Sequence, residues 1–403
     1  MKTIKSGTLL YIALLLIAGI GCKQEALNTP NIINKNAPGV VSGITVTNLN
    51  GKATLTYTLP NNKDVQYVKA VYQTSEGRAE QVVKASHYIN TLTVEGFGDT
   101  LAHTVQLYAV NSSEVASAPV SVTVQPLTPA INLARRSLKA TATFGGFAVT
   151  CNNPTKENLA IIPLVDTTGT GKWAQTRGME NIYSNSVLID ATNRGQPAIE
   201  RKYAFVVRDR WLNYSDTLFA KLTPLFEILL PKSGWNNLAL PGDAAPLFPG
   251  STVVSNIYNG NYNQGWPNVF FSIQTATSPQ MITLDLGKLH IFSRLQLNPY
   301  RENNGQYFVK ATPKVFEIWG SNQPNLNGAL DASWTKLTTC TVVKPSGSPY
   351  GTETAADNTA GRNGFQFNFP VGLGSYRYVR IKYLTNWQGD YVMALAQFTL
   401  WGQ

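Results

Sequence analysis

Histidine and cysteine are scarce, with three of each in 403 residues. His87, His103 and His290 lie in or beside strand-like runs far apart in the chain. Neither a Ser/His/Asp set nor a metal-ligating cluster can be assembled from them, so no cofactor and no catalytic centre is implied. Cys151 and Cys340 are also far apart, which argues against a disulfide framework and for two small buried hydrophobes. Charge is thin at 14% of residues, and although the balance is +10 there is no Lys/Arg run. No stretch has the period of a convincing amphipathic helix. What the chain has is 43% hydrophobic residues, enough for two or three domains with ordinary cores.

The N-terminus carries Lys2 and Lys5 and then an apolar stretch, Leu9 to Ile20, too short to span a bilayer and suited to the h-region of a secretory signal over residues 1–21. Ala18-Gly19-Ile20-Gly21-Cys22 follows, and it resembles the lipobox of bacterial lipoproteins, in which the cysteine is acylated after cleavage. Gly19 departs from that pattern, which usually has leucine there. Residues 22–38 are Asn-rich and suit a flexible tether. Lys23-Gln24-Glu25 resembles surface-export signals of Bacteroidetes lipoproteins. The resemblance implies an outer-membrane, surface-exposed protein that meets the membrane only through lipid on Cys22. An exported chain with no recognition-helix pattern is not expected to bind nucleic acid.

From Val40 onward short alternating runs recur, such as Ala53 to Leu59 and Val120 to Val124, divided by Gly, Asn and Pro turns at sandwich-like spacing. "VQLYAVNSSEVASAPVSVTVQPLTP", Val105 to Pro129, is echoed by "YAFVVRDRWLNYSDTLFAKLTP", Tyr203 to Pro224. Each is an apolar strand, a polar turn, an alternating strand and a Leu-Thr-Pro ending, so the pair reads as two copies of one module. Their last two strands resemble the closing hairpin of fibronectin type III domains, with Tyr108 before the turn as in that family; Val206 to Asp209 lacks the tyrosine. The expected division is 39–127, 128–228 and 229–403, the first two acting as spacers.

In residues 229–403 six motifs occur in order: "PQMITLDLG" (Pro279 to Gly287), "PKVFEIWGSNQPN" (Pro313 to Asn325), "WTKL" (Trp334 to Leu337), "FQFNFP" (Phe365 to Pro370), "YRYVRIKYL" (Tyr376 to Leu384) and "LAQFTLWG" (Leu395 to Gly402). Together they resemble the discoidin-like, coagulation-factor type C domain, a β-sandwich jelly roll shared with galactose-binding-type carbohydrate modules. The fold class is therefore all-β: two tandem immunoglobulin/fibronectin type III-like sandwiches and a discoidin-like sandwich. The whole resembles Bacteroidetes surface lipoproteins found near glycan-utilisation systems. That resemblance implies carbohydrate as ligand, acidic and host glycans among the candidates given the positive charge, and other outer-membrane glycan-uptake proteins as partners.

In discoidin-like domains an aspartate-rich turn followed by tryptophan holds a structural calcium together with a glutamate of the final strand. Here the turn is "NGNYNQGW", Asn259 to Trp266, and the final-strand position is Gln397. With amides in place of carboxylates, a cation loses most of the attraction that offsets its dehydration. Asn259 or Asn261 can hydrogen-bond Gln397 directly and close the corner without metal.

Sugars present C–H faces and hydroxyl rims, so their sites need aromatic platforms beside amides and guanidiniums on loops at one end of the sandwich. Three loops offer this mixture: Trp266 with Asn268; Tyr300, Arg301, Asn303 and Asn304 with Tyr307; and Asn386, Trp387 and Tyr391. Glu302 and Asp390 are the acids in these loops, a weak basis for glycoside hydrolysis, so a non-catalytic binder is expected. The competing reading is an adhesin or scaffold subunit that binds proteins of an outer-membrane complex.

Overall fold

The computed structural model describes residues 34–262, 264–275, 277–302 and 305–403. The expected signal, the acylated Cys22, and Asn263, Asn303 and Asn304 lie outside the described residues. Strands hold 45% of the chain and helices 6%, an all-β architecture of antiparallel sheets.

The first sandwich sets the three-stranded sheet Ser42–Leu49, Lys52–Thr58 and Thr91–Glu95 against the four-stranded sheet Gln81–Ser86, Val65–Tyr72, His103–Asn111 and Val120–Val124. The period of two decides which side chains meet between them: Ala53, Leu55 and Tyr57 from one sheet and Val68, Ala70, Leu107 and Ala109 from the other are all buried. The second sandwich repeats the plan. Leu188–Arg194, Gly146–Asn152 and Lys139–Thr143 face a sheet of Leu159–Asp166, Arg201–Arg208 and Leu218–Leu222 with the short edge strands Trp173–Ala174 and Ile182–Ser184.

The internal echo is realised atom by atom. Asn111 Oδ1 accepts from the amides of Ser113 and Val115, and Asp209 Oδ1 accepts from those of Trp211 and Asn213. Glu114 and Leu212 both take positive φ, 61° and 62°. Ser117 Oγ then caps Ala109 N at 3.1 Å as Ser215 Oγ caps Val207 N at 3.0 Å. A short side chain that folds back on its own turn therefore ends the penultimate strand in both copies.

The third sandwich packs Ile228–Leu229, Gln397–Gly402, Phe292–Asn298 and Phe365–Asn368 against Asn236–Asn237, Met281–His290, Tyr376–Asn386, Pro313–Ser321 and Thr335–Thr341. The 228/229 division expected from sequence falls within the strand Ile228–Leu229, which pairs with Gly402 and Trp401. A satellite cluster of Val269, Phe271, Tyr300, Ala311, Val392, Ala394 and Ala396 lies beyond the main core at one end, where Phe270–Phe271 pairs with Ala394–Leu395.

Two helices depart from the sequence expectation. Ala130–Ser137 follows Pro129 and buries Ala130, Ile131 and Ala134 on the second core. Ala355–Asn363 starts at a capping box, Thr354 with Asp357. Cys151 and Cys340 are free and buried, as expected of small hydrophobes.

Candidate functional site

The satellite cluster supports an open hollow of about 420 Å³. Its apolar side is a relay of four rings. Phe248 meets Trp266 edge-on at 5.3 Å, Trp266 meets Phe271 at 5.5 Å and Phe271 meets Tyr300 at 5.7 Å, with interplanar angles of 73°, 84° and 82°. T-shaped contacts of this kind fix ring orientation. The first two rings remain open to solvent, Phe248 50% and Trp266 42% exposed, while Phe271 and Tyr300 are buried beneath them.

The polar side comes from two loops that the fold brings together. Gly265 bridges Arg301 in parallel, and Arg301 N donates to Gln264 O at 3.0 Å, so the tryptophan turn and the Tyr300 loop run side by side. Tyr300 Oη donates to Glu302 Oε2 at 2.6 Å, and Lys310 Nζ lies 2.9 Å from the same oxygen. Burial and the neighbouring Glu302 carboxylate push the Tyr300 phenol far above its ordinary value, so it stays a donor at every working pH. Gln274 adds an exposed amide to the rim. The hollow thus offers two half-exposed aromatic rings beside an ammonium, a carboxylate and an amide.

Of the residues expected to meet ligand, the structure brings Trp266 and Tyr300 to this hollow. Tyr300 does so from beneath, 3% exposed, and holds Glu302 rather than facing solvent. Asn268 and Arg301 are exposed on the adjoining turns and do not line the hollow; Tyr391 is half-buried and does not line it either. Packing places three others away from the hollow. Tyr307 is buried over Gly361, where an added Cβ would come within 2.4 Å of the ring, and its amide donates to Glu353. Asn386 is 1% exposed and staples its own turn, accepting from Gly389 N and Asp390 N and donating to Val392 O and Asp390 Oδ1. Trp387 is no open platform, because Phe308 meets it edge-on at 5.3 Å and Lys314 Nζ lies 5.2 Å from its ring centre.

Phe248, Gln274 and Lys310 were not singled out from sequence. Phe248 had one legible signal, an aromatic flanked by Pro246 and Pro249-Gly250 in a turn-forming stretch that gives its ring no core to enter. Gln274 and Lys310 had none.

At the other corner, Gln397 Nε2 donates to Asn259 Oδ1 at 2.6 Å and to Asn256 O at 2.7 Å. Asn261 contributes its backbone amide, to Asn259 Oδ1. Gln397 Oε1 accepts from Gly260 N and, at 2.9 Å, from Lys232 Nζ, which also donates to Thr399 Oγ1. Lys232 lies over the rings of Trp235 and Tyr262, each 5.8 Å away. An ammonium from this chain therefore occupies the corner, a feature the sequence reading missed. Burial pulls its pKa down to about 8. Among the described residues no group of three or more His, Cys, Asp or Glu could hold a metal.

Residues 38–126 match a family described as a domain of unknown function (DUF4959), residues 127–233 a second such family (DUF5126) and residues 258–402 a third (DUF5000). Among solved structures the chain is similar to a SusE-like protein at 25% identity and a TM-score of 0.45, covering 68% of this chain and 99% of that one. It is similar to the C-terminal domain of a chitobiase from Bacteroides fragilis at 13% identity and a TM-score of 0.31, covering 44% and 98%. A third similarity is to the CBM32 and M60 catalytic domains of ZmpB from Clostridium perfringens, at 13% identity and a TM-score of 0.30, covering 43% and 15%. No curated protein matches the chain.

Proposed function

We propose that this chain is a non-catalytic cell-surface protein that binds carbohydrate in the hollow between Phe248 and Trp266. The observation that carries the reading is the pair of partly exposed rings, Phe248 and Trp266, beside Gln274, Glu302 and Lys310. Rings take the C–H face of a sugar, while the ammonium, carboxylate and amide match its hydroxyls. The hollow is also within the usual size of small-ligand sites, roughly 300–1,000 Å³. Its wall is preorganised, since each ring is held by the next and the charged pair by Tyr300, so little side-chain freedom is lost on binding. Among the described residues lining it there is one carboxylate, where glycoside hydrolysis uses two. In this reading the resemblance to discoidin-like domains holds for residues 229–403, acylated Cys22 tethers the chain to the outer membrane, and the two preceding sandwiches carry the site away from the surface for glycan capture.

A glycan array probed with the full chain tests it, followed by titration of the strongest sugar. Trp266→Ala and Phe248→Ala should each weaken binding about tenfold or more, roughly 1.4 kcal/mol, with the sugar recovered intact. Undiminished binding by both variants, or turnover of the sugar, would overturn the site or the non-catalytic reading respectively. Cys22→Ala should move the protein from the membrane to the soluble fraction and abolish lipid labelling.

A further inference from the structure

The second sandwich carries an open cleft of about 480 Å³ that no spacer role requires. Strand register builds it. Ala160 lies opposite Tyr183 on one side and opposite Arg208 on the other, so the three side chains form one row across the sheet and share its outer face. The adjoining row, Ile182, Ile161 and Val207, points into the core. Because Ala160 ends at Cβ, it leaves a floor between a tyrosine wall and a guanidinium wall. Asn158 and Asn185 place exposed amides at the mouth.

Both walls are prepared for a ligand. Tyr183 is 68% exposed, yet its hydroxyl accepts from Asn181 Nδ2 at 3.1 Å, and Asn181 Oδ1 accepts from Gln175 Nε2 at 2.8 Å. Arg208 is the converse: its Nε is buried with no hydrogen-bond partner, and among the described residues no carboxylate lies within ion-pair distance of its guanidinium. Arg194, Arg294, Arg377 and Arg380 each face a carboxylate. The neighbouring charges are spoken for, since Arg210 pairs with Glu95 at 2.6 Å and Asp209 accepts from Trp211 N, Asn213 N and Asn213 Nδ2. A guanidinium with no carboxylate partner among the described residues leaves its charge for an incoming anion to meet at the cleft.

We propose that the Tyr183–Ala160–Arg208 row is a second glycan site, selective for a sugar that bears an anionic group. The pyranose stacks on Tyr183 over Ala160, its carboxylate or sulfate takes the fork of Arg208, and Asn158 and Asn185 meet its hydroxyls. The site is independent of the hollow in the third sandwich.

Calorimetric titration of the full chain tests this with trigalacturonate, a galactotriose sulfate and neutral galactotriose. At least one anionic probe should bind and neutral galactotriose should bind about tenfold more weakly or not at all. Uronate binding alone identifies carboxylate as the anion, sulfate binding alone identifies sulfate, and both together a general anion fork. Arg208→Gln and Tyr183→Ala should each weaken the anionic probe about tenfold or more, and Arg208→Lys by less, since charge without the fork retains part of the contact. Tyr183 stands exposed on a three-residue edge strand, so its truncation leaves the core in place and an unchanged melting temperature checks this. Trp266→Ala should leave this binding intact, which separates it from the third-sandwich site. No binding of either anion, equal binding of the neutral sugar, or unchanged affinity in Tyr183→Ala and Arg208→Gln would overturn the proposal.

Discussion

The ammonium of Lys232 lies 2.9 Å from Oε1 of Gln397, in the corner that Gln397 and Asn259 close amide to amide. Cation and amide come from the two ends of the third sandwich, Lys232 just after its first strand and Gln397 on its last. A positive charge already stands among neutral oxygens, so a divalent ion arriving there would meet repulsion and, among the described residues, no cluster of three or more metal-ligating side chains. A millimolar calcium addition at a micromolar site raises stability by about 4 kcal/mol. We expect no melting shift with calcium and none with chelator. A rise with calcium that Gln397→Ala abolishes would show that the corner takes metal.

The same lysine predicts a pH dependence. Its pKa is held near 8 by burial in the native state, below the ordinary 10.5 of the unfolded chain. Between those values the unfolded chain binds more protons, so this group makes stability rise with pH, and below about 8 its buried charge weighs against folding in full. Other groups oppose the trend: Cys151 and Cys340, with thiols pushed up to about 11 and about 12 by burial, lower stability as pH climbs past 9.0. Lys232→Met retains those groups. The melting temperature of the native protein minus that of Lys232→Met should therefore increase from pH 7 to pH 9.5. A flat difference would mean that the ammonium is solvated.

Trp266 and Trp387 should separate binding from stability. Trp387 is wedged between Phe308 and Lys314, with its indole nitrogen buried, so Trp387→Ala leaves a void in the third core. Loss of a buried tryptophan costs about 3–5 kcal/mol; the partial exposure of this one places it at the lower end. Chemical denaturation should show that loss, with sugar affinity per folded molecule unchanged. Trp266→Ala should do the reverse. A Trp387→Ala protein of native stability but reduced affinity would return Trp387 to the ligand.

Much of the fold was legible because a period of two survives in the sequence wherever a strand has one wet face, as in Lys52–Thr58. The repeated turns were legible too, through Asn111 and Asp209 at matching places. The helices were not. Ala130–Ser137 has no side-chain cap, and Ala355–Asn363 has no apolar residue besides its alanines, carries Gly361 in its last turn and packs there against Tyr307. Thr354 and Asp357 did offer a readable capping box. For the site, residue type pointed to Trp266 but could not distinguish it from Trp387, since both are aromatics in polar loops and only packing decides which ring is covered. Lys232 and the Tyr183–Ala160–Arg208 row escaped for a different reason. They depend on which strands pair, and in which register.

Glu227 supplies the last prediction. Its carboxylate, 8% exposed, accepts from Ser293 Oγ at 2.6 Å and lies 3.2 Å from Arg194 of the second sandwich and 3.3 Å from Arg294 of the third. Arg194 reaches further, donating to Asn368 Oδ1 at 2.8 Å. One side chain in the connection thus clasps both sandwiches. Removing the carboxylate strands two guanidiniums together, and breaking a buried pair costs roughly 3–5 kcal/mol, toward the low end here because both arginines are partly in water. We propose that residues 229–403 form a unit with its own core, so Glu227→Ala should uncouple it from the second sandwich rather than unfold it. Calorimetry should resolve two transitions where the native protein gives a more merged one, and limited proteolysis should cut upstream of Ile228, which is paired with Gly402, and release a stable C-terminal fragment. Rapid digestion of that fragment after the cut would show that the two sandwiches fold as one cooperative unit, and the proposed division would fall.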